Sequence, residues 1–219
     1  MTGEATPHRV AALLVAAWRG SRPPVDGSWA RVEPWRAGVH GVVAVTGRAL
    51  VSAPNDVTDA ELEALGVDGW GHAHDPRVMI RLAGADGWVD VLDAVLLAEG
   101  TGEREPGVVP RPDLREHPRV RHALQIRGDV EIFGFPDDDL SVLTLGQGLG
   151  GLCEMSLQVA PSLRGRGVGP LLARAARGLV PAGEPVVASV APANVPSVRA
   201  VMRAGFEPVG SVQVCRRAG

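Results

Sequence analysis

The chain has no lysine and no tyrosine, only two cysteines, and few aromatic residues. Each shortage removes a class of chemistry. Without lysine there is no phosphate loop of the Walker type, whose lysine reaches the β- and γ-phosphates. Cys153 and Cys215 make neither a disulfide framework nor a zinc site. No apolar run approaches the roughly 20 residues that span a bilayer. The N-terminus shows no positive region followed by an apolar one, as a secretory signal would. A soluble protein of a reducing cytoplasm, with no membrane partner, is expected. The 22 arginines that stand in place of lysines read as a composition bias, from which no function is drawn.

What is present is length and an uneven charge. The 219 residues, 45% of them apolar, suffice for one large domain or two small ones. Residues 1–150 carry 14 arginines against 22 carboxylates, and residues 151–219 carry 8 against 3. A positive C-terminal third favours an anionic ligand, and the acidic remainder argues against a nucleic-acid partner. A cationic amine would suit that acidic part.

The segment 153–170 names a chemistry. Cys153, Met155, Leu157 and Val159 alternate with Glu154, Ser156 and Gln158, the period of a half-buried strand that stops at Pro161. Gly165, Gly167 and Gly169 follow at every second position, so the backbone can turn tightly and aim successive N–H groups at one spot. Pro170 suits the first turn of a helix, and Val168, Leu171, Leu172, Ala175 and Leu179 continue at helical spacing. The positive end of that helix then faces the same spot. Phosphate or pyrophosphate is the natural ligand, with Arg164 and Arg166 adding charge beside it.

A dinucleotide fingerprint is excluded, because position 170 is proline where the last glycine of G-x-G-x-x-G would fall. A formal match at Gly146, Gly148 and Gly151 lies between strand-like runs at 140–145 and 152–159, and reads as a hairpin loop. What remains is R-x-x-G-x-G at Arg164, Gly167 and Gly169, after a strand and before a helix. Downstream, Asn194-Val195-Pro196-Ser197 precedes Gly205-Phe206, with a strand from Pro185 to Val190 between the two motifs. The pair resembles the acyl-CoA loop and second motif of the GNAT superfamily of N-acetyltransferases, over residues 152–206 and more faintly back to about Val120.

The resemblance implies acetyl-CoA as co-substrate and no metal. It implies that the loop amides of Arg164, Gly165, Arg166, Gly167, Val168 and Gly169 bind the pyrophosphate, and that Leu157, Gln158 and Val159 pair with the pantetheine arm. It also gives Asn194 a side-chain contact with the cofactor, with Ser197 beside it. From the residues alone, Asn194 is a good helix N-cap, Gly205 a C-cap, and Val198, Val201 and Met202 a face directed at the core.

Elsewhere an amphipathic helix is predicted over 8–18, a loop over 22–35, and short strands at 42–45 and 49–52 around Thr46-Gly47. Thr58 and Glu61 stand in capping-box register for a helix ending at Gly66. Trp88 to Leu97 fits a strand or a strand entering a helix. Gly71-His72-Ala73-His74-Asp75 reads as a loop that is structural or lines a cleft rather than a metal site. Four prolines between 101 and 118 mark a linker, 105–118, between an N-terminal α/β half, 1–104, and a GNAT-like domain, 119–219. Beyond it, His122–Arg127 and Val130–Phe135 read as hairpin strands around Gly128-Asp129, and Asp137-Asp138-Asp139 as a solvated turn able to attract an amine.

The expected fold class is α+β with α/β character, a GNAT-like, mixed and mostly antiparallel sheet with flanking helices. The family's two helices after its first strand find no room behind the linker. Either the N-terminal half supplies that layer, as a degenerate second copy, or the core is trimmed; an acceptor cleft between the halves is expected.

Acyl transfer requires the amine to lose a proton, an oxyanion donor that backbone N–H near the strand end can supply, and a proton for the thiolate. In many relatives a tyrosine at the register of Val201 gives that last proton; here another acid, a water, or direct loss of thiolate must serve. Glu154, on the polar strand face, is the candidate catalytic base, with His117 and His122 as alternatives. Cys153 reads as a buried apolar residue, and Ser189 and Ser197 as donors near the cofactor. The expected function is N-acetyl transfer from acetyl-CoA to a primary amine of a small molecule or peptide by direct attack. The alternative is a CoA-binding module without turnover. No motif names the amine or the oligomeric state.

Overall fold

The computed structural model describes residues 6–21 and 23–218. In chain order it holds α1 (Arg9–Trp18), β1 (Ser28–Val32), β2 (His40–Val45), β3 (Arg48–Ser52), α2 (Asp59–Ala64), α3 (Pro76–Ala83), β4 (Trp88–Val89) and β5 (Asp93–Glu99). There follow β6 (Val109–Pro110), α4 (Pro118–Ile126), β7 (Gly128–Gly134), β8 (Val142–Gln147) and β9 (Cys153–Gln158). The chain ends with α5 (Val168–Leu179), β10 (Pro185–Val190), α6 (Val195–Arg203) and β11 (Glu207–Arg216). The fold is α+β, mixed and mostly antiparallel strands flanked by helices. No helix among the described residues is long and apolar enough to cross a membrane.

Two compact units divide the chain. The first takes the residues up to Leu92, Leu149–Gly151 and those from Val209; the second takes Asp93–Gly148 and Leu152–Pro208. The proline-rich stretch 105–118 lies inside the second unit, where it carries β6 and a 3-10 turn, Pro112–Glu116.

In the first unit β1 pairs in parallel with β3, β3 antiparallel with β2, and β2 and β4 antiparallel with β11. β1 overturns part of the loop expected at 22–35, of which Arg22 lies outside the described residues. Its five residues show no alternation because only Val32 is fully buried, and the pairing partner arrives from β3. The capping box of α2 is complete: Glu61 N–H donates to Thr58 Oγ1 at 3.2 Å, and Thr58 N–H donates to Glu61 Oε2 at 2.7 Å. Leu62, Val78, Met79 and Leu82 from α2 and α3 then pack on Val42, Ala49 and Val51 of the sheet. His72 and His74 point apart: His72 pairs with Asp68 at 2.7 Å, while His74 Nε2 lies 3.0 Å from Ser211 Oγ. Among the described residues no group of three or more His, Cys, Asp or Glu could hold a metal ion.

The second unit orders its strands β6-β7-β8-β9-β10-β5, antiparallel throughout except between β9 and β10. α5 makes the crossover that a parallel pair requires. Leu172, Ala173 and Ala176 of α5, with Val201 and Phe206, form one core with Leu143, Met155, Val186 and Ala188. The segment 122–127 corrects the expectation of a strand. Residues 122–126 belong to α4, which begins at Pro118 with His117 as N-cap, buries Val120 and Ala123, and ends at Arg127 as its extended C-cap. Gly128-Asp129 is thus a helix-to-strand junction, with Asp129 at φ 45°, and not a hairpin turn. Helical structure between β5 and β7, expected to have no room, is therefore built within the unit. Trp88–Leu97 resolves into β4 and the start of β5.

Candidate functional site

β9 and β10 pair only from Cys153↔Val186 to Met155↔Ala188. Beyond that point β9 runs on to Gln158 against β8, and β10 to Val190 against β5. The strands therefore part, and the β10-facing edge of β9 from Ser156 onward has no strand partner among the described residues. Such an edge offers N–H and C=O groups to an extended ligand.

At the end of that edge the chain turns through a short 3-10 segment, Pro161–Leu163, into α5. The side chains of His8, Thr58, Asp75, His117 and Asn194 cap α1, α2, α3, α4 and α6. The N-cap of α5 is Gly167, which has no side chain to offer. First-turn N–H groups have no partner within a helix, so the positive end of α5 is left bare. The glycines have two distinct reasons. Gly165 and Gly167 adopt φ 76° and 84°, and a Cβ on either would meet nothing within 4 Å. A Cβ on Gly169 would stand 3.3 Å from the Ala200 side chain, so this glycine lets α5 approach α6.

Together these elements enclose a cleft of about 810 Å³. Among the residues expected to bind cofactor, Leu157, Gln158, Val159, Arg164, Gly165, Gly167, Gly169, Asn194 and Ser197 line it. Arg166 is exposed outside the lining, and Val168 packs against the core beneath. Asn194 Oδ1 accepts the Ser197 N–H at 3.3 Å, so the cap uses its carbonyl and leaves its NH2 as the group able to meet a ligand. Arg164 Nε donates to the Val159 carbonyl at 3.4 Å.

The sequence reading missed Arg119, Arg199 and Arg203, which also line the cleft. Arg199 and Arg203 sit one turn apart on α6 and were legible as the complement of its apolar face. That face is Val198 and Val201; Met202, expected in the core, is 50% exposed. Arg119 is hidden in the sequence because Pro118 before it and residues 122–127 after it have the pattern of a linker and a strand. The first turns of α4, α5 and α6 thus all reach the cleft, whose lining among the described residues holds four arginines and no carboxylate. Converging helix N-termini and guanidinium groups favour a polyanion.

Glu154 lies elsewhere. It is 4% exposed and outside the cleft lining, with Oε1 2.7 Å from Arg127 Nη2 and accepting the Ser189 hydroxyl at 2.9 Å. Gly148 makes room for it: a Cβ there would come within 2.0 Å of Glu154 Oε2. At the other end of β9, the Gln158 amide is 3.4 Å from His117 Nε2, and Arg119 N–H donates to His117 Nδ1 at 3.1 Å. From His117 to Arg127 the helix rises about 15 Å, and from Gln158 back to Glu154 the strand covers about 13 Å. The two lengths match, and α4 is fixed across β9 at both ends. Burial lowers the pKa of His117, and the Arg119 charge adds to this against the Leu140 carbonyl. His122 is half-buried on α4.

Burial pushes the Cys153 thiol up to about 11, which suits a packed residue and not a nucleophile. Asp138 accepts the N–H groups of Leu140 and Ser141, and Asp139 pairs with Arg111. Asp138 is thus engaged within its own turn, and Asp139 with Arg111, just before the 3-10 turn.

No protein-family model and no curated protein matches the chain. Among solved structures it is similar to a GNAT-family protein from Novosphingobium aromaticivorans, with TM-score 0.42 and 18% identity over 63% of this chain and 70% of that one. It is also similar to a GCN5-related N-acetyltransferase from Kribbella flavida, with TM-score 0.39 and 14% identity over 66% and 64%. A GNAT-family acetyltransferase from Colwellia psychrerythraea gives TM-score 0.39 and 14% identity over 59% and 57%. The last two matches span less than two thirds of those chains.

Proposed function

We propose that the second unit binds acyl-CoA in this cleft and transfers the acyl group to a primary amine, with acetyl-CoA as the simplest donor. The observation that carries this reading is the bare N-terminus of α5, ringed by Arg119, Arg164, Arg199 and Arg203, at the end of an open strand edge. An anion holder beside a hydrogen-bonding track fits a pyrophosphate joined to an extended, amide-bearing arm. The thioester of such a donor supplies an activated acyl carbon.

In this reading the N–H groups of Gly165, Gly167, Val168 and Gly169 hold the pyrophosphate, and the arginines offset its charge. The edge from Leu157 to Val159 orients the arm, and the Asn194 NH2 donates to it. Glu154 is the proton acceptor for the attacking amine.

Two observations favour a second reading, a binding module without turnover. Glu154 is held in a buried ion pair, and the chain has no tyrosine to serve as acid. Thiol release from acetyl-CoA across a panel of primary amines separates the two. Amine-dependent release supports transfer, and binding with no release from any amine supports the module. A chain that does not bind acetyl-CoA sinks both.

A further inference from the structure

The acyltransferase reading leaves a gap: Glu154 is 4% exposed, too buried for an acceptor amine to touch. Its partner Ser189 lies, like Glu154, outside the lining of the anion cleft, but it is the more accessible of the two. On β10 it is the residue directly after the last β9–β10 pair, Ala188↔Met155, and so stands at the closed end of the fork. Val187 pairs with Glu154, so Ser189, two residues on, projects from the same sheet face as the carboxylate. It is half-buried where Glu154 is buried, and its hydroxyl donates to Glu154 Oε1 at 2.9 Å. The serine on the opposite side of the fork, Ser156, bonds Thr144 Oγ1 at 2.8 Å.

We propose, resting on the acyltransferase reading, that the Ser189 hydroxyl carries the proton between the acceptor nitrogen and Glu154, outward and then back. As the neutral amine's lone pair forms the N–C bond, its N–H proton passes to Ser189 Oγ while the Ser189 proton passes to Glu154 Oε1. When the C–S bond breaks, its electron pair stays on sulfur. Glu154 then returns the proton through Ser189 to that sulfur, giving amide and free thiol with nothing left over. One path serves both directions, which is how a chain without tyrosine completes the reaction.

The test compares Ser189→Ala and Ser189→Thr in the full chain with the parent, using an amine that the parent acylates. Both variants should keep the melting shift that acetyl-CoA gives the parent. The alanine variant should lose about a hundredfold or more in kcat at unchanged KM for acetyl-CoA, and threonine should restore the rate to within about tenfold of the parent. In the ligand-free chain, Ser189→Ala should shift a carboxylate band in the infrared difference spectrum. Near-parental kcat in Ser189→Ala, a threonine variant as slow as alanine, or no carboxylate band shift would each overturn the relay. Should the alanine variant fold poorly, a proton inventory on the parent decides: a curved plot supports two protons in flight, and a linear one overturns the proposal. A parent that binds acetyl-CoA but acylates no amine sinks the transferase reading itself, whereas an active parent indifferent to Ser189 sinks only the relay.

Discussion

Replacing Glu154 by glutamine should destabilise the protein more than a surface carboxylate ever would. The side chains of Arg127 and Glu154 are 4% and 6% exposed, so neither charge has bulk water to fall back on. Arg127 Nε and Nη1 have no hydrogen-bond partner among the described residues, which leaves Nη2 and its bond to Glu154 as the pairing of that guanidinium there. Removing one member of a buried pair strands the other charge, at about 3–5 kcal/mol. At roughly 2–4 °C per kcal/mol for a chain of this size, the melting temperature should fall by about 6–20 °C. Arg127→Met should cost a similar amount. The double variant Arg127→Met, Glu154→Leu replaces the pair by apolar side chains of comparable volume and should recover most of the loss. Urea unfolding of the parent, Glu154→Leu, Arg127→Met and the double variant closes the cycle and gives the coupling energy directly. Single variants costing under about 1 kcal/mol, or a double variant as unstable as the two losses added, would refute the buried pair.

Three further outcomes follow from the geometry. Burial pushes the His74 imidazole from 6.5 down to about 4, so as pH falls the unfolded chain binds the proton first; stability should be whole above pH 6.5 and decline toward pH 4. The loss is about 3 kcal/mol, read as a falling urea midpoint that flattens in His74→Gln. Gly148→Ala should cost about 1–3 kcal/mol by driving into Glu154, and most of that cost should vanish in a Glu154→Ala background if the clash is the cause. Arg199→Glu and Arg203→Glu should each weaken acetyl-CoA binding about tenfold and reduce its salt dependence in calorimetric titration. Unchanged affinity would remove those side chains from the site.

The strand-loop-helix at 153–179 was legible because each of its levels agrees: alternation of period two, a glycine run, then helical spacing from Val168. What the sequence did not disclose depended on distant partners. β1 exists because β3 lies beside it, and its own five residues carry no period. α4 was missed because a proline at its first position and a Gly-Asp junction after it imitate a linker and a hairpin. With α4 went Arg119 and the link from His117 to Gln158. The three glycines of the loop looked alike in sequence, yet only contact with Ala200 distinguishes Gly169 from the two that need a left-handed backbone. Glu154 was picked out from its strand face, but its ion pair joins positions 27 residues apart, and no local pattern encodes that.

The most direct measurement is thermal unfolding with and without saturating acetyl-CoA, on the natural chain and on Gly167→Asp. Aspartate is among the side chains that enter the left-handed region most readily, so the strain at φ 84° should lower the variant's melting temperature equally with and without ligand; its Cβ meets nothing within 4 Å, and it places a carboxylate at the bare end of α5. At a thousand times its dissociation constant acetyl-CoA should add about 4 kcal/mol to the natural chain, an upward shift of roughly ten degrees, and none to the variant. No shift in the natural chain, or a full shift in Gly167→Asp, would contradict the assignment of the cleft to acyl-CoA.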